Sequence, residues 1–161
     1  MAAALFGDEN PGGKLPVTVY PAAFVNTTDF LNMSMQAGQG RSYRFYTGEP
    51  LFPFGFGLSY TTFALAWNST PPPVGAEVPC RADAPTAVYA VTVTNTGAVA
   101  GDEVAMLFAV PERATLGLAP GTPVPRKQLL AFERVHLAPG ASTTVRFSVD
   151  AARHLAVVDG D

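Results

Sequence analysis

Two pairs of neighbouring carboxylates are the first residues in this sequence that could do chemistry. Asp8 and Glu9 stand in a stretch rich in Gly, Asn and Pro, which predicts a turn, and Asp102 and Glu103 open a predicted strand. Two carboxylates can serve as general acid and base only when both face the same bond. Because successive side chains of a strand point to opposite faces, neither pair is expected to converge on one substrate. We expect both pairs to be solvated surface groups.

Histidine, cysteine and serine offer no complete catalytic or metal-binding set. His136 and His154 stand alone on predicted strand edges, without Cys, Asp or Glu at metal-ligand spacing. Cys80 is the only cysteine, which excludes an internal disulfide and a cysteine metal cluster. Ser59 lacks the Gly-x-Ser-x-Gly context of a nucleophile and is expected to bond backbone in a turn. The sequence therefore predicts no catalytic residue, no metal and no cofactor.

The densest aromatic segment of the chain runs from Arg41 to Thr62. It carries seven Tyr and Phe residues interspersed with Pro and Gly. Proline removes a backbone donor, so this segment is expected to form neither a helix interior nor a central strand. We predict an ordered connector whose rings are buried.

Two interpretations are open for four side chains of this connector, those of Arg41, Tyr43, Arg44 and Tyr46. Rings combined with guanidinium and hydroxyl groups are what a sugar-binding surface uses. The other interpretation is that these side chains pack between domains.

Three asparagines are candidate acceptors for N-glycosylation. Asn26, Asn32 and Asn68 each begin an Asn-x-Ser/Thr triplet near turn-forming residues. They can be used only if the protein enters the secretory pathway, which they favour. The chain shows no signal peptide, and its compartment stays unassigned.

Composition limits the classes of partner. The 161 residues are 48% hydrophobic and 14% charged, which suits one packed domain and a part of another. A formal net charge of -3, without clustered Lys and Arg, gives no support for a nucleic acid or an anionic membrane as partner. No apolar run approaches the length of a membrane span.

The elements that must position these groups are mainly short strands. The first six residues predict the tail of a helix or strand, Lys14 to Tyr20 a short edge strand, and Pro21 to Gly40 a loop. Phe63, Leu65 and Trp67 alternate with small residues and predict a half-buried strand. Further alternating segments predict strands over 88–94, 103–110, 128–135 and 143–149, with another beginning at residue 154. This spacing predicts an antiparallel sandwich of the immunoglobulin or fibronectin type III class.

Ordered motifs in the chain resemble the C-terminal part of glycoside hydrolase family 3 enzymes. The motifs are Gly-Gly-Lys-Leu-Pro-Val-Thr at 12–18, Gly-Arg-Ser-Tyr-Arg-Phe-Tyr-Thr-Gly at 40–48 and Phe-Pro-Phe-Gly-Phe-Gly-Leu-Ser-Tyr-Thr-Thr-Phe at 52–63. Segments 93–97, 101–104 and 128–140 resemble the fibronectin type III-like domain of that family. The central motif is most similar to the β-xylosidase and arabinofuranosidase branch, with β-glucosidases next.

The resemblance implies a retaining exo-glycosidase built from a (β/α)8 barrel, an α/β sandwich and this terminal sandwich. The Asp nucleophile of the family lies in the barrel and its Glu acid/base in the middle domain, both upstream of Gly12. No catalytic residue is therefore carried over, and whether this chain counts as an enzyme stays open. The implied partners are the N-terminal catalytic domains or an equivalent, and an oligosaccharide substrate in the full-length context. The family also favours an extracellular location.

The resemblance implies a mainly β chain in three parts. Residues 1–22 are the terminal strand and loop of an α/β sandwich domain, 23–60 an aromatic-rich connector, and 61–161 a fibronectin type III-like domain truncated at its C-terminal end. The expected function is to support domain packing in an enzyme that hydrolyses terminal β-linked xylose or related sugars during xylan breakdown. The alternative is a free-standing fibronectin type III-like interaction or carbohydrate-binding module.

Overall fold

The computed structural model describes residues 2–68, 86–111, 118 and 121–150. Within them lie three short helices, α1 (Ala2–Phe6), α2 (Phe24–Thr27) and α3 (Ser42–Phe45), and five strands, β1 (Phe63–Trp67), β2 (Ala87–Asn95), β3 (Gly101–Ala109), β4 (Gln128–Leu137) and β5 (Ser142–Val149). None of the described helices has the length and apolar character needed to cross a bilayer.

The described chain forms two compact units. The first contains residues 2–13, 57–68, 86–108 and 129–150, and the second contains 14–56, 109–111, 118 and 121–128. The first unit holds the five strands, except for the terminal residues Ala109 of β3 and Gln128 of β4. The second unit holds α2, α3 and most of the aromatic connector.

Two sheets build the first unit. One has the order β1-β2-β5 with antiparallel pairing, in which Phe63 lies opposite Asn95 and Thr94 opposite Ser142. The other pairs β3 with β4. Alternate residues of both sheets point inward and form one core, made of Val91, Val93, Ala105, Leu137, Val145 and Phe147. This is the sandwich that the strand spacing predicts.

The strand predictions are confirmed to within two residues at each end. The turn between β4 and β5 is also as predicted, since Gly140 has a φ of 71° and the Ala141 amide donates to the Ala138 carbonyl at 3.0 Å. The strand predicted from His154 lies outside the described residues. The expectation that β1 is half-buried is wrong for Leu65 and Trp67, which are exposed, because the core reaches only Phe63 of this strand.

In the second unit an extended segment runs beside the end of the aromatic connector. Leu15 exchanges backbone hydrogen bonds with Gly55 and Phe56, and the Val19 amide donates to the Phe52 carbonyl at 2.9 Å. The regular edge strand predicted over 14–20 is wrong, because only an isolated bridge between Val19 and Phe52 forms. Pro16 and Pro53 cannot donate the backbone hydrogen bonds that would continue the ladder.

The helical content of the first 50 residues differs in part from expectation. The start of the chain, predicted as the tail of a helix or strand, forms the helix α1, and the predicted loop over 21–40 contains the single turn α2. α3 occupies the start of the connector, before its first proline. The prediction that the connector rings are buried is confirmed for Tyr46 and wrong for Phe52 and Tyr60, which are exposed. The other four rings are half-buried, namely Tyr43, Phe45, Phe54 and Phe56.

Candidate functional site

The carboxylate pairs behave differently from each other. Asp8 and Glu9 form an exposed turn after α1, as predicted, with both amides bonded to the Ala3 carbonyl. Asp102 is at the surface as expected, with its side chain 24% exposed, but its carboxylate is paired. Its carboxylate accepts hydrogen bonds from the Arg134 guanidinium, the Nε bond measuring 2.8 Å, and lies 2.5 Å from His136 Nδ1.

Asp102 therefore joins β3 to β4 through two basic side chains. Arg134 and His136 are two residues apart and so share one face of β4. The hydrogen bond with His136, followed by that with Arg134, lowers the pKa of Asp102 below its ordinary value. His136 is thus not the lone histidine that the sequence indicates.

The Asp102 cluster lies at the surface of the sheet. The side chains of Arg134 and His136 are 60% and 70% exposed, so water screens both ion pairs. Gly12 packs against it, because a Cβ at Gly12 would lie 2.6 Å from the Asp102 Cβ. Among the described residues, no group of three or more His, Cys, Asp or Glu could hold a metal ion.

Tyr46 is the centre of an aromatic cluster in the second unit. Its ring meets Tyr20 edge-on at 4.9 Å and Phe24 edge-on at 5.6 Å between centroids. Tyr20 and Phe24 stack at 4.1 Å. The Tyr20 hydroxyl accepts a hydrogen bond from the Ser42 amide at 2.5 Å, which ties the cluster to the start of α3. The contacts among these three rings stabilise the connector at the start of α3.

Tyr43, in α3, stacks on Phe54 at 4.3 Å between ring centroids. Together with Tyr46 it lines a cleft of about 380 Å³ that contains aromatic, basic and hydroxyl groups. The lining residues are Thr18, Tyr43, Tyr46, Gly48, Pro50, Pro53, Phe54, Val110, Arg126 and Lys127. The cleft brings together the types of side chain that contact carbohydrates.

Arg126 fixes the segment before β4 to α3. Its amide donates to the Arg44 carbonyl at 2.6 Å, and its guanidinium donates to the Tyr46 carbonyl at 2.5 Å. The Arg44 side chain is exposed, donates to Gln128 Oε1 at 3.2 Å and lies over the Phe45 ring. No sequence motif pointed to Arg126, since its partners are main-chain atoms about 80 residues away.

Arg41 is separated from the other candidates. Its guanidinium donates to the Asp29 carbonyl at 2.7 Å and lies 5.9 Å from the centre of the Phe30 ring. The structure thus brings Tyr43 and Tyr46 to one cleft and places Arg41 at the 29–35 loop instead. Whether the four candidates contact sugar or a neighbouring domain stays a prediction.

The three candidate glycosylation sites are exposed, but their surroundings differ. Asn26 lies in α2. Asn32 accepts a hydrogen bond from the Ser34 amide at 3.0 Å. Asn68 donates to Thr144 Oγ1 at 3.1 Å and accepts from Thr92 Oγ1. Their modification stays a prediction.

Two asparagines that the sequence analysis missed organise the first unit. Asn95 is completely buried, and its amide makes four hydrogen bonds, with Thr61 Oγ1, the Gly97 amide and the carbonyls of Val99 and Leu137. Such full satisfaction is what a buried amide requires. Asn95 lies in segment 93–97, which resembles the family's fibronectin type III-like domain, but that segment does not indicate which distant residues surround its side chain.

Asn10 joins three separate segments of the same unit. Its Nδ2 donates to the Ala100 carbonyl at 3.0 Å, and its Oδ1 accepts from the Tyr60 amide at 2.8 Å and from Ser59 Oγ at 3.1 Å. Ser59 Oγ also accepts from the Thr61 amide, which confirms the predicted role of this serine in a turn. His154 and Cys80 lie outside the described residues.

Two family models match the chain in order. Residues 1–60 match the glycosyl hydrolase family 3 C-terminal domain, and residues 103–161 match the fibronectin type III-like domain. The chain belongs to glycoside hydrolase family 3. The resemblance seen in the motifs is thereby confirmed, as is the mainly β fold with a fibronectin type III-like sandwich.

The curated relatives of this family 3 chain include several β-xylosidases. Beta-D-xylosidase 1 of Arabidopsis thaliana is 38% identical over 99% of the chain, which covers 23% of that protein. Exo-1,4-beta-xylosidase bxlB of Emericella nidulans is 38% identical over 92% of the chain and 20% of its own length. The chain therefore spans about a fifth of the length of the curated relatives it matches.

Solved structures of family 3 enzymes share the fold. The exo-β-xylosidase XlnD, solved with a xylobiose aziridine probe, superposes with a TM-score of 0.72 at 28% identity over 95% of this chain and 22% of its own. The β-D-glucoside glucohydrolase of Trichoderma reesei gives 0.68 at 29% identity over 96% of this chain and 23% of its own. In both proteins most of the polypeptide lies outside the matched region.

Proposed function

We propose that this chain is the C-terminal, non-catalytic part of a family 3 glycosidase that removes terminal β-linked xylose or related sugars. The observation that carries the proposal is similarity over 90–99% of the chain to proteins named β-xylosidases. The chain spans about a fifth of those proteins, and the family resemblance implies that the reacting carboxylates lie in the barrel and middle domain, upstream of Gly12.

The contribution of the chain is mechanical support. Residues 1–22 supply the end of an α/β domain, 23–60 connect it, and 61–161 form the fibronectin type III-like domain. The hydrogen bonds of Asn10 support this role, because they hold residues of the first segment, the connector and the sandwich together within one unit. A rigid attachment of this kind positions neighbouring catalytic domains without touching the substrate.

A chimeric enzyme tests the proposal. The region of Arabidopsis Beta-D-xylosidase 1 that matches this chain is replaced by the 161 residues, and hydrolysis of p-nitrophenyl β-D-xyloside is compared with that by the same enzyme lacking the region. We expect the chimera to be soluble and active and the truncated enzyme to lose most activity. A folded chimera no more active than the truncated enzyme would overturn the proposal.

The alternative, a free-standing carbohydrate-binding module, would hold its sugar in the cleft beside Tyr43 and Arg126. It predicts saturable binding of xylobiose to the isolated chain, measured by calorimetry, and loss of that binding in Tyr43→Ala. The supporting role predicts no saturable heat. Binding that survives Tyr43→Ala would argue against this cleft as the site.

A further inference from the structure

The loop of residues 29–36, here called the outward loop, is ordered by its own polar side chains. Asp29 Oδ1 accepts from the Leu31 amide at 2.9 Å, and Asn32 Oδ1 accepts from the Ser34 amide at 3.0 Å. Ser34 Oγ then accepts from the Gln36 amide at 3.3 Å. Each polar side chain thus bonds the backbone two residues ahead, as in successive Asx and Ser turns.

Arg41 fixes both ends of the outward loop. Its guanidinium donates to the Asp29 carbonyl at 2.7 Å, and its amide donates to the Met35 carbonyl at 2.8 Å. The guanidinium also lies over the Phe30 ring. The loop is therefore held in one conformation before any partner arrives, so binding costs little further ordering.

Apolar side chains of the outward loop face the solvent. Leu31, Met33 and Met35 are 92%, 82% and 43% exposed, and they alternate with Asn32 and Ser34, whose polar atoms bond the backbone. This reverses the usual arrangement of a surface loop, in which polar groups face water. A single exposed Leu is unremarkable, but an ordered group of apolar side chains is typical of an interaction site.

An apolar groove continues this surface. Phe30 and Arg41 line it together with Tyr20, Phe24 and Val25, and its volume is about 390 Å³. Residues 30–40 include no Asp, Glu, Lys, Arg or His. The charged residues Asp29 and Arg41 flank this stretch, so a partner that covers Leu31, Met33 and Met35 must be apolar where it touches them, which disfavours a nucleic acid or an anionic membrane.

We propose that the outward loop is the surface on which the preceding, catalytic part of a family 3 enzyme docks. This inference rests on the proposed function and adds the contact surface. The occupant follows from two observations. The loop lies within residues 1–60, which match the C-terminal domain of the glycosidase, and more than three quarters of the Arabidopsis relative lies outside the matched region. That polypeptide is long enough to form a domain that covers the loop.

Methionine oxidation tests the proposal, because only exposed Met reacts quickly with hydrogen peroxide. Met33 sulfoxide is quantified by mass spectrometry in the 161-residue chain and in the Arabidopsis chimera, with the partly buried Met106 of β3 as internal reference. We expect oxidation of Met33 to be at least roughly tenfold slower in the chimera, with Met106 changing little.

A second test compares two variants of the chimera and does not require the isolated chain. Leu31→Ser combined with Met33→Ser is expected to shorten the half-life of xylosidase activity on heating by about fivefold or more. Phe132→Ser is the control, because Phe132 of β4 is also exposed, at 65%. It is expected to change the half-life little.

The outcomes separate the two proposals. An active chimera in which Met33 oxidises as fast as in the isolated chain, or in which the double serine variant behaves like the control, overturns docking and leaves the proposed function standing. An inactive, folded chimera overturns the proposed function. Protection of Met33 in the isolated chain, together with a dimer in light scattering, would assign the loop to self-association instead.

Discussion

Thr61 Oγ1 donates a hydrogen bond to Asn95 Oδ1 at 2.6 Å, at a point where Asn95 has no exposed surface. Thr61 lies at the end of the aromatic connector, two residues before β1, and Asn95 ends β2. The contact therefore fixes where the connector enters the sandwich. Gly97 is needed beside it, because a Cβ there would collide with the Thr61 hydroxyl.

Asn95→Ala is expected to destabilise the chain by roughly 2–5 kcal/mol, because it leaves several buried donors and acceptors without partners. Urea unfolding followed by fluorescence measures the change. Thr94→Ala, which removes an exposed hydrogen bond to Ser142, is the matched control and should cost about 1 kcal/mol or less. Equal midpoints for the two variants would contradict the central role of Asn95.

Asp102→Asn is expected to lower stability in a pH-dependent way. Its folded-state pKa lies below the ordinary 3.8, so the carboxylate stabilises the fold above about pH 4, and this contribution is lost as the pH falls through the lowered value. The loss at neutral pH is expected to be about 1 kcal/mol or less, since both partners are largely exposed.

Thermal unfolding of the Asp102→Asn variant between pH 2 and pH 7 measures this dependence. The gap between wild type and variant should be present at neutral pH and close at the acid end. Glu133→Gln, an exposed carboxylate on β4, is the control. A gap that widens on acidification would show that the assigned pairing is wrong.

Gly40→Ala is expected to destabilise the start of α3 by roughly 2 kcal/mol or more, because its φ is 76° and a Cβ there would collide with the Phe45 carbonyl. Gly13→Ala is the control, since a Cβ at that position meets no atom within 4 Å. Circular dichroism melting compares them. A Gly40→Ala protein as stable as Gly13→Ala would refute the assigned backbone geometry.

Asn68→Ala is expected to cost about 1 kcal/mol in unglycosylated protein, because it removes the links from the end of β1 to Thr92 and Thr144. Asn26→Ala, in the exposed face of α2, should change stability little. Differential scanning calorimetry of both variants decides the point. If Asn26→Ala proves the more damaging, the Asn68 bonds contribute nothing in solution.

The sandwich was predictable because its strands obey a two-residue period. Val91 and Val93 in β2 and Val145 and Phe147 in β5 alternate with polar residues, and all four lie in the core. A pattern that repeats along a strand fixes which side chains turn inward without knowledge of the partner strand.

The side-chain networks were not predictable, because they join residues distant in the sequence. Asp102 meets Arg134 and His136 only after β3 and β4 pair, and nothing within either segment indicates that register. The prediction that Phe52 and Tyr60 are buried was wrong for a related reason. An aromatic ring indicates a preference for burial but does not say which polypeptide covers it.

The relative specificity of the chimera for xyloside and glucoside tests the central claim most directly. If this chain supports the catalytic domains without touching the reacting sugar, the ratio of kcat/KM for p-nitrophenyl β-D-xyloside to that for the β-D-glucoside should equal the ratio of the parent Arabidopsis enzyme. A ratio shifted by about tenfold or more would mean that residues of this chain contact the substrate, and the supporting role would be contradicted.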